Sequence, residues 1–424
     1  MEKSGILMHQ IEHHQTIAND ELTEPVDSIL PHVLLYVAQL VALASPRFPG
    51  RRFVFSGILL GMLVQTQLHP HFTRDLGKAQ AFCIQWSFLI ATLEKLLLSG
   101  EEGPESRFWR EDVGEKEAEN YNAFSFRKLE WAVMLLLNQR GVGWKHQVKN
   151  VPHGPDIKKS VFLRRQLIQL VKYYLLADLC FQLGIWFFYT NPMTGVVGDV
   201  DSKLITFDYI CPGWIVTTRW VFAATPYFAL SMQYTLLSII CVALGLGTSK
   251  DWPPMFNPIS EATTIRNVWG KYWHQLLRRP LSTWANAFVD MLGIRHGTNL
   301  SSYTQIWFSF LVSGYFHAAS HLILPSPIDV SVAERAYPIF LFFVLQATAI
   351  TIEDAVQWTW SKGLGFGGGR TKWRSAVGYV WVTGWLLWSV TFPAVAYMKT
   401  RVGTESPLPF TVFGPWIHLV PRPF

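Results

Sequence analysis

The sequence predicts an all-α, polytopic membrane protein. Only 16% of its 424 residues are charged and 50% are hydrophobic, whereas soluble domains usually carry about 25% charged residues. Apolar runs alternate with polar stretches that hold most of the Lys and Arg residues, and most of these runs approach the length that crosses a bilayer. We therefore expect about eight transmembrane helices, roughly seven to nine, with interfacial amphipathic helices between them.

The expected membrane helices follow one another along most of the chain. The first two are short, and the Pro and Arg residues between them predict a tight, positively charged hairpin. Ionisable side chains inside the runs, such as Glu94 and Lys172, must face protein, water or one another. The apolar runs cover residues 30–45, 53–67, 79–98, 163–189, 220–246, 303–324, 337–356 and 376–397.

Two long polar segments interrupt this series. The first, residues 99–159, contains the apolar stretch 131–137, which is too short to span and is expected to lie at the interface or to re-enter. The second, residues 248–302, contains the prolines Pro253 and Pro254, which stop any helix that continues from the preceding run. Neither segment shows an internal repeat or a soluble domain.

We expect one continuous membrane domain over residues 29–400, with its most distinctive motifs in the segment 251–325. A polar tail, residues 1–28, precedes it without the pattern of a secretory signal peptide, so the first apolar run is expected to act as an uncleaved anchor. Residues 401–424 carry Trp, Pro and Arg and predict an interfacial tail.

The formal net charge of +6 comes from cations between the apolar runs. This pattern suits anionic lipid headgroups or a phosphorylated cosubstrate, and nucleic acid is a poor match as a partner. The four cysteines, Cys83, Cys180, Cys211 and Cys241, show no metal-binding spacing and are interpreted as small core residues.

His317 is the most informative single residue, because it lies in the middle of an apolar run. An ionisable group at such a depth is costly and indicates function, although a histidine that only bonds a neighbouring helix remains an alternative. Ser313 and Gly314 lie one helical turn before it, so we expect that face to leave space for a substrate. His321 shares the face, but no glutamate lies between the two histidines, so we expect no metal site.

His274 lies in the Trp-rich segment 267–279. Its apolar residues recur at helical spacing, which predicts an amphipathic interfacial helix over residues 261–279, ended by Pro280. One interpretation is a membrane-surface helix anchored by its Trp and Arg residues. The other is that its cations gather the phosphates of an acyl-coenzyme A while His274 points into a reaction chamber.

Together these motifs resemble a known family. Segment 267–279, followed about forty residues later by Ser313-Gly314-Tyr315-Phe316-His317, is similar to the wax synthase-like branch of the membrane-bound O-acyltransferase superfamily. Residues 140–144 and 346–354 also look like fungal members that acylate terpenoid or meroterpenoid secondary metabolites. The resemblance makes His317 the catalytic histidine, and His274 takes the place of the second polar residue of the motif.

The resemblance implies O-acyl transfer, with a short acyl group moving from acetyl-CoA, as cosubstrate and not as bound cofactor, to a hydrophobic alcohol. Buried His317 should stay neutral and act as general base, while His274 donates a hydrogen bond. Residues expected at the acyl-CoA are Asn267, Trp269, Lys271, Trp273, Arg278 and Arg279. Residues expected at the acceptor are Ser313, Gly314, Asp178 and Glu353.

The acids inside the apolar runs leave two possibilities open. Asp178, Glu353 and Asp354 could orient a histidine or a substrate hydroxyl, or they could pair with Lys172 or Arg219 to stabilise the helix bundle.

Two other functions also remain open from the sequence. The same fold could protonate a prenyl substrate and cyclise or isomerise it without an acyl donor. A small-molecule transporter would also hold polar residues in its spans, although paired broken helices are not evident. We expect an endoplasmic reticulum or other endomembrane location with the His274 segment near the cytosolic face. The oligomeric state is not predicted.

Overall fold

The computed structural model describes residues 26–191, 194–198, 212–363 and 371–422, and within them the chain is helical, with no named strand. Cys211 and nearly all of the predicted N-terminal tail lie outside the described residues. The main helices are α1 Leu30–Ala44, α2 Arg51–Leu68, α3 Leu76–Cys83, α4 Gln85–Leu97, α5 Phe126–Leu137, α6 Lys159–Gly184, α7 Ile215–Ala243, α8 Arg278–Met291, α9 Asn299–His321, α10 Val332–Trp358, α11 Lys372–Ser389 and α12 Thr391–Lys399.

The all-α prediction is confirmed for this part of the chain. Among the described helical stretches, four are long and apolar enough to cross a membrane, and α1 is a shorter apolar helix. The predicted count of about eight spans stays a prediction. The four stretches are Lys159–Tyr189, Pro212–Ala243, Val332–Ser361 and Lys372–Lys399.

Two of the predicted single helices are broken in the structure. The run 79–98 divides at Ile84 into α3 and α4, and this break places Gln85 inside the protein, where it bonds Thr66. The run 376–397 divides at Val390 into α11 and α12. Pro393 accounts for the second break, because proline has no N–H to continue the hydrogen-bond ladder onto the carbonyl of residue 389.

The predicted amphipathic helix over residues 261–279 is wrong. The chain instead forms the short α-helical turn Ile265–Asn267, continues in the π-helical turn Val268–Tyr272, and then leaves the helix. Pro280 does not end a helix, because it lies in the first turn of α8. A proline is tolerated there, since the first N–H groups of a helix have no partner within the helix.

α9 is packed on both sides next to His317. On one side Ala319 packs with Leu35 and Leu59 from α1 and α2. On the other side Ala318 packs with Ile339 and Phe343 from α10. A further core cluster joins the turn that precedes His274 to α10 and α11, so the two histidine segments are built against the same helix.

Candidate active site

The hydrogen bond that His317 makes indicates where its ring proton lies. Its Nδ1 is 2.8 Å from the carbonyl oxygen of Ser313, one turn earlier on α9, and the hydroxyl of Ser313 is 3.4 Å from the same nitrogen. A carbonyl can only accept, so Nδ1–H donates, and the neutral ring keeps its lone pair on Nε2. This arrangement prepares Nε2 to accept a proton.

The ring of His317 keeps accessible surface although the residue lies deep in the protein. One side of the ring rests on Phe343, with ring centroids 4.3 Å apart. A deep side chain with accessible surface is what a substrate chamber requires.

His274 has the opposite arrangement of ring proton and lone pair. The backbone N–H of Leu276 donates to its Nδ1 at 3.2 Å, so the neutral ring carries its proton on Nε2. Burial is the main cause that lowers the pKa of His274, and together with the nearby His317 and Arg140 it brings this pKa to about 3. His274 is therefore a neutral hydrogen-bond donor at physiological pH.

Aromatic rings join the two histidines in a continuous path. The ring of His274 lies 5.5 Å from that of Trp273, which lies 5.9 Å from Trp269. Trp269 is 6.2 Å from Phe343, the ring beneath His317. An apolar wall that ends in a histidine at each side suits a hydrophobic substrate that must be held and then activated.

The turn that leads to His274 is fixed from α10. Thr264 caps it by accepting the backbone N–H of Asn267 at 3.0 Å. Glu353 accepts the backbone N–H groups of Ile265 and Arg266 at 2.5 and 3.1 Å. A carboxylate at the first N–H groups of a helical turn stabilises it electrostatically.

Glu353 is a predicted acceptor-binding residue, but its carboxylate is already occupied by protein groups. Besides the two backbone N–H groups, the indole N–H of Trp381 donates to it at 2.7 Å. Its neighbour Asp354 pairs with Arg266. Glu353 and Asp354 thus hold the His274 segment in place, which favours a structural role for both acids.

Gln275 is a residue of the site that sequence reasoning missed. Its φ of 55° places a non-glycine residue in the left-handed region, where the chain turns directly after His274. Its side-chain amide donates to the carbonyl oxygens of Trp269 at 3.0 Å and Trp273 at 2.6 Å. The residue therefore locks the turn, and no local pattern in the sequence marks it.

The three cations predicted to hold the acyl-CoA have different surroundings. Lys271 and Arg278 are exposed, with Lys271 in an ion pair at 3.5 Å with Glu261. Arg279 instead points to buried Glu94, with 3.1 Å between Nη2 and Oε1. Only the first two are thus placed where a solvent-borne phosphate could reach them directly.

Gly314 does not leave the space for a substrate that the sequence predicted. A Cβ at this position would lie 3.0 Å from the Cβ of Phe343 and 3.1 Å from Cδ2 of Phe340. The small residue serves a close approach of α9 to α10, a common use of glycine between membrane helices.

Asp178, the remaining predicted acceptor residue, is fully buried in α6 and bonds the C-terminal tail. Its Oδ2 accepts the backbone N–H groups of Val412 and Phe413 at 2.7 and 3.0 Å, and Gln182 donates to its Oδ1. Within the described part of the chain, Asp178 therefore bonds these groups and pairs with neither Lys172 nor Arg219.

His321 does not share the opening of His317. It is buried, its Nε2 lies 3.3 Å from the hydroxyl of Thr400, and its ring packs on Tyr397. The environment of His321 is that of a packed core residue.

Two family models match this chain. The Membrane bound O-acyl transferase family matches residues 252–345, which include both His274 and His317. The Aspirochlorine biosynthesis protein F C-terminal domain matches residues 158–243, which cover α6 and α7.

Curated relatives extend the match. Aspirochlorine biosynthesis protein F of Aspergillus oryzae is 38% identical over 232 residues, 54% of this chain and 90% of the relative. Acetyltransferase aurG of Calcarisporium arbuscula is 31% identical over 310 residues, 68% of this chain and 69% of the relative. Acetyltransferase atnC of an Arthrinium species is 27% identical over 414 residues, 91% of this chain and 88% of the relative. With both histidines inside the matched segment, the chain belongs to the membrane-bound O-acyltransferase family, and it is an acyltransferase of the membrane.

Proposed function

We propose that this enzyme transfers an acetyl group from acetyl-CoA to a hydroxyl group of a hydrophobic secondary metabolite of the terpenoid or meroterpenoid class. The observation that carries the proposal is the opposed protonation of the two histidines. His317 offers a lone pair and His274 offers an N–H, so the pair can activate an alcohol and polarise a carbonyl at the same time. Several relatives named acetyltransferase support the acetyl group as the one transferred.

The chemical steps follow from this geometry. Nε2 of His317 takes the hydroxyl proton as the alcohol oxygen attacks the thioester carbonyl. His274 donates to the oxygen that becomes negative, a contribution worth roughly 3 to 4 kcal/mol where one such donor has been removed from other enzymes. The C–S bond then breaks, and the departing thiolate takes the proton from His317. The acetyl group passes directly from sulfur to oxygen, without a covalent enzyme intermediate.

The surroundings of the site suit the two substrates. Exposed Lys271 and Arg278 flank the His274 turn and are proposed to hold the phosphates of acetyl-CoA, which enters from the cytosol. Trp269, Trp273 and Phe343 are proposed to hold the hydrophobic acceptor, which reaches the site from the bilayer. About eight spans in an endoplasmic reticulum membrane, with this turn near the cytosolic face, complete the proposed arrangement.

Membranes from a host that expresses the chain provide the test. They are supplied with acetyl-CoA labelled with ¹³C in the acetyl group and with a panel of terpenoid, aromatic and linear alcohols, and the products are identified by mass spectrometry. We expect a labelled ester that is absent from membranes of the same host with an empty vector.

The other functions give different results in the same assay. A new product that forms without acetyl-CoA would indicate proton-initiated prenyl chemistry. Uptake of the alcohol into vesicles without any conversion would indicate transport. Either result would contradict acetyl transfer.

A further inference from the structure

Arg140 is a buried cation beside the candidate site, and its partners are uncharged. The side chain is 4% exposed. Nη1 donates to the carbonyl oxygen of Pro254 at 2.8 Å, and Nη2 donates to the hydroxyl of Tyr234 at 2.5 Å and to the carbonyl oxygen of Pro253 at 3.4 Å. The guanidinium therefore connects three parts of the chain: the loop of residues 138–151, the helix α7 and the Pro253-Pro254 segment.

Among the described residues no carboxylate pairs with Arg140. The nearest acid by sequence to its contacts, Asp251, instead caps its own turn by accepting the backbone N–H and hydroxyl of Thr248 at 2.7 and 3.0 Å. A buried charge held only by neutral groups is costly, so its retention indicates a specific role.

The segment that Arg140 holds leads directly to His274. Two residues after Pro254, the ring of Phe256 lies 4.9 Å from that of Trp273 and 6.2 Å from that of His274. The next residue, Asn257, donates its backbone N–H to the carbonyl oxygen of Tyr272 at 3.1 Å. Through these contacts the Pro253-Pro254 segment is linked to His274 and to Tyr272 and Trp273, which directly precede it.

The loop of Arg140 also contacts the His274 turn by a second route. Asn150 donates from its side chain to the carbonyl oxygen of Gly270 at 2.6 Å. Asn257 donates to the carbonyl oxygens of both Asn150 and Lys271, at 2.7 and 2.8 Å. The loop, the proline segment and the His274 turn thus form one hydrogen-bonded framework.

Gly141 keeps this loop compact next to Arg140. It has a φ of 63°, and a Cβ there would lie 2.8 Å from Cδ2 of His146. A side chain at this position would collide with His146 of the same loop, so glycine next to Arg140 has a physical reason.

We propose that Arg140 is a positioning residue for His274, which it holds in place through the Pro253-Pro254 segment and Phe256. Its positive charge acts in the same sense, because a nearby cation opposes protonation of an imidazole. The catalytic part of this inference rests on the proposed acetyl transfer, in which His274 donates to the oxyanion.

The test is a double-mutant cycle on acetyl transfer from acetyl-CoA to the best acceptor of the alcohol panel. Arg140→Met alone should lower kcat about 10- to 100-fold and change KM for acetyl-CoA less than about threefold. In a His274→Ala background the same change should have almost no further effect, because the residue it positions is gone. Arg127→Met, the same substitution at an exposed position on α5, should leave kcat unchanged.

A second readout does not need activity. Hydrogen–deuterium exchange should become faster in Arg140→Met over residues 252–258 and 272–277, with α10 unchanged. Tyr234→Phe removes one partner of Arg140 and no charge, together with the hydrogen bond that the tyrosine hydroxyl donates to Pro253 at 2.7 Å. It should show the same pattern more weakly and serves if Arg140→Met does not fold.

Three outcomes would overturn the inference. One is a loss of kcat from Arg140→Met that persists in the His274→Ala background. Another is a large rise in KM, which would place Arg140 at the acetyl-CoA. The third is faster exchange confined to residues 138–151. If the unsubstituted protein transfers no acetyl group, the proposed function fails, and the exchange experiment still decides whether Arg140 positions the His274 turn.

Discussion

Gly314→Ala perturbs the site without touching any group that reacts. The added methyl carbon would lie 3.0 Å from the Cβ of Phe343 and 3.2 Å from the carbonyl oxygen of Phe340. Both atoms belong to α10 and cannot swing away as a flexible side chain can, so the two helices must separate by a few tenths of an ångström. The ring of His317 packs on that of Phe343, with ring centroids 4.3 Å apart, and Phe343 moves with α10.

The expected magnitude has two parts. Overpacking costs about 1 to 3 kcal/mol, and replacing a helical glycine by alanine returns about 1 kcal/mol, so the net loss of stability is about 0 to 2 kcal/mol. A displacement of a few tenths of an ångström at a catalytic base should lower the rate more than it lowers the stability. We expect kcat to fall about tenfold, because a misplacement of about 1 Å can cost a hundredfold.

The assay is acetyl transfer with matched amounts of protein, together with the apparent melting temperature in detergent. Gly57→Ala in α2 is the control, because a Cβ there meets nothing within 4 Å. If Gly314→Ala transfers acetyl groups as fast as Gly57→Ala does, the close packing of α9 and α10 does not position His317.

Three further predictions concern other parts of the molecule. His274→Ala should lower kcat about 100- to 1,000-fold, as loss of an oxyanion donor does, and a change in KM alone would contradict that role. Asp178→Asn should speed proteolytic removal of the C-terminal tail while kcat changes less than about threefold, and a loss of activity with the tail still protected would return Asp178 to the acceptor site. Burial raises the pKa of Glu105, but Arg51 and Lys128 together bring it below its ordinary value, so the stability it provides is present above about pH 4.3 and is lost as the pH falls through the lower folded-state pKa. Glu105→Gln should abolish that acid-dependent loss in a thermal melt, and an unchanged pH profile would refute the assignment.

The sequence predicted the helices well because apolar runs of membrane length are a strong local signal. The runs 30–45 and 53–67 correspond closely to α1 Leu30–Ala44 and α2 Arg51–Leu68. The break at Ile84 was missed, because it depends on Gln85 reaching a partner on α2. Such a contact is not written in the hydropathy of the run.

The His274 segment shows the same limit more clearly. Its apolar residues recur at helical spacing, and this pattern predicted a single helix. The actual turn depends on Glu353, almost ninety residues away in the chain, and on the left-handed Gln275. Local periodicity contains neither interaction, so the pattern predicted which residues gather near His274 but not how the chain turns there.

The carboxylates and Arg140 were harder to assign from sequence for a related reason. An acid within an apolar run predicts a partner but does not identify it. Asp178 bonds backbone groups of the C-terminal tail, and Arg140 bonds backbone carbonyls of a proline segment. A backbone group can belong to any residue type, so the sequence does not indicate these partners and only the folded chain shows them.

The role of His317 can be tested most directly by its replacement with alanine. The measurement is the yield of ¹³C-acetylated product from membranes that contain equal amounts of wild type and His317→Ala, with melting temperatures compared in parallel. Loss of a general base that no other group replaces should reduce the rate about 100- to 10,000-fold while the melting temperature stays close to that of wild type. Product formed by His317→Ala at a rate near that of wild type would remove His317 from the mechanism.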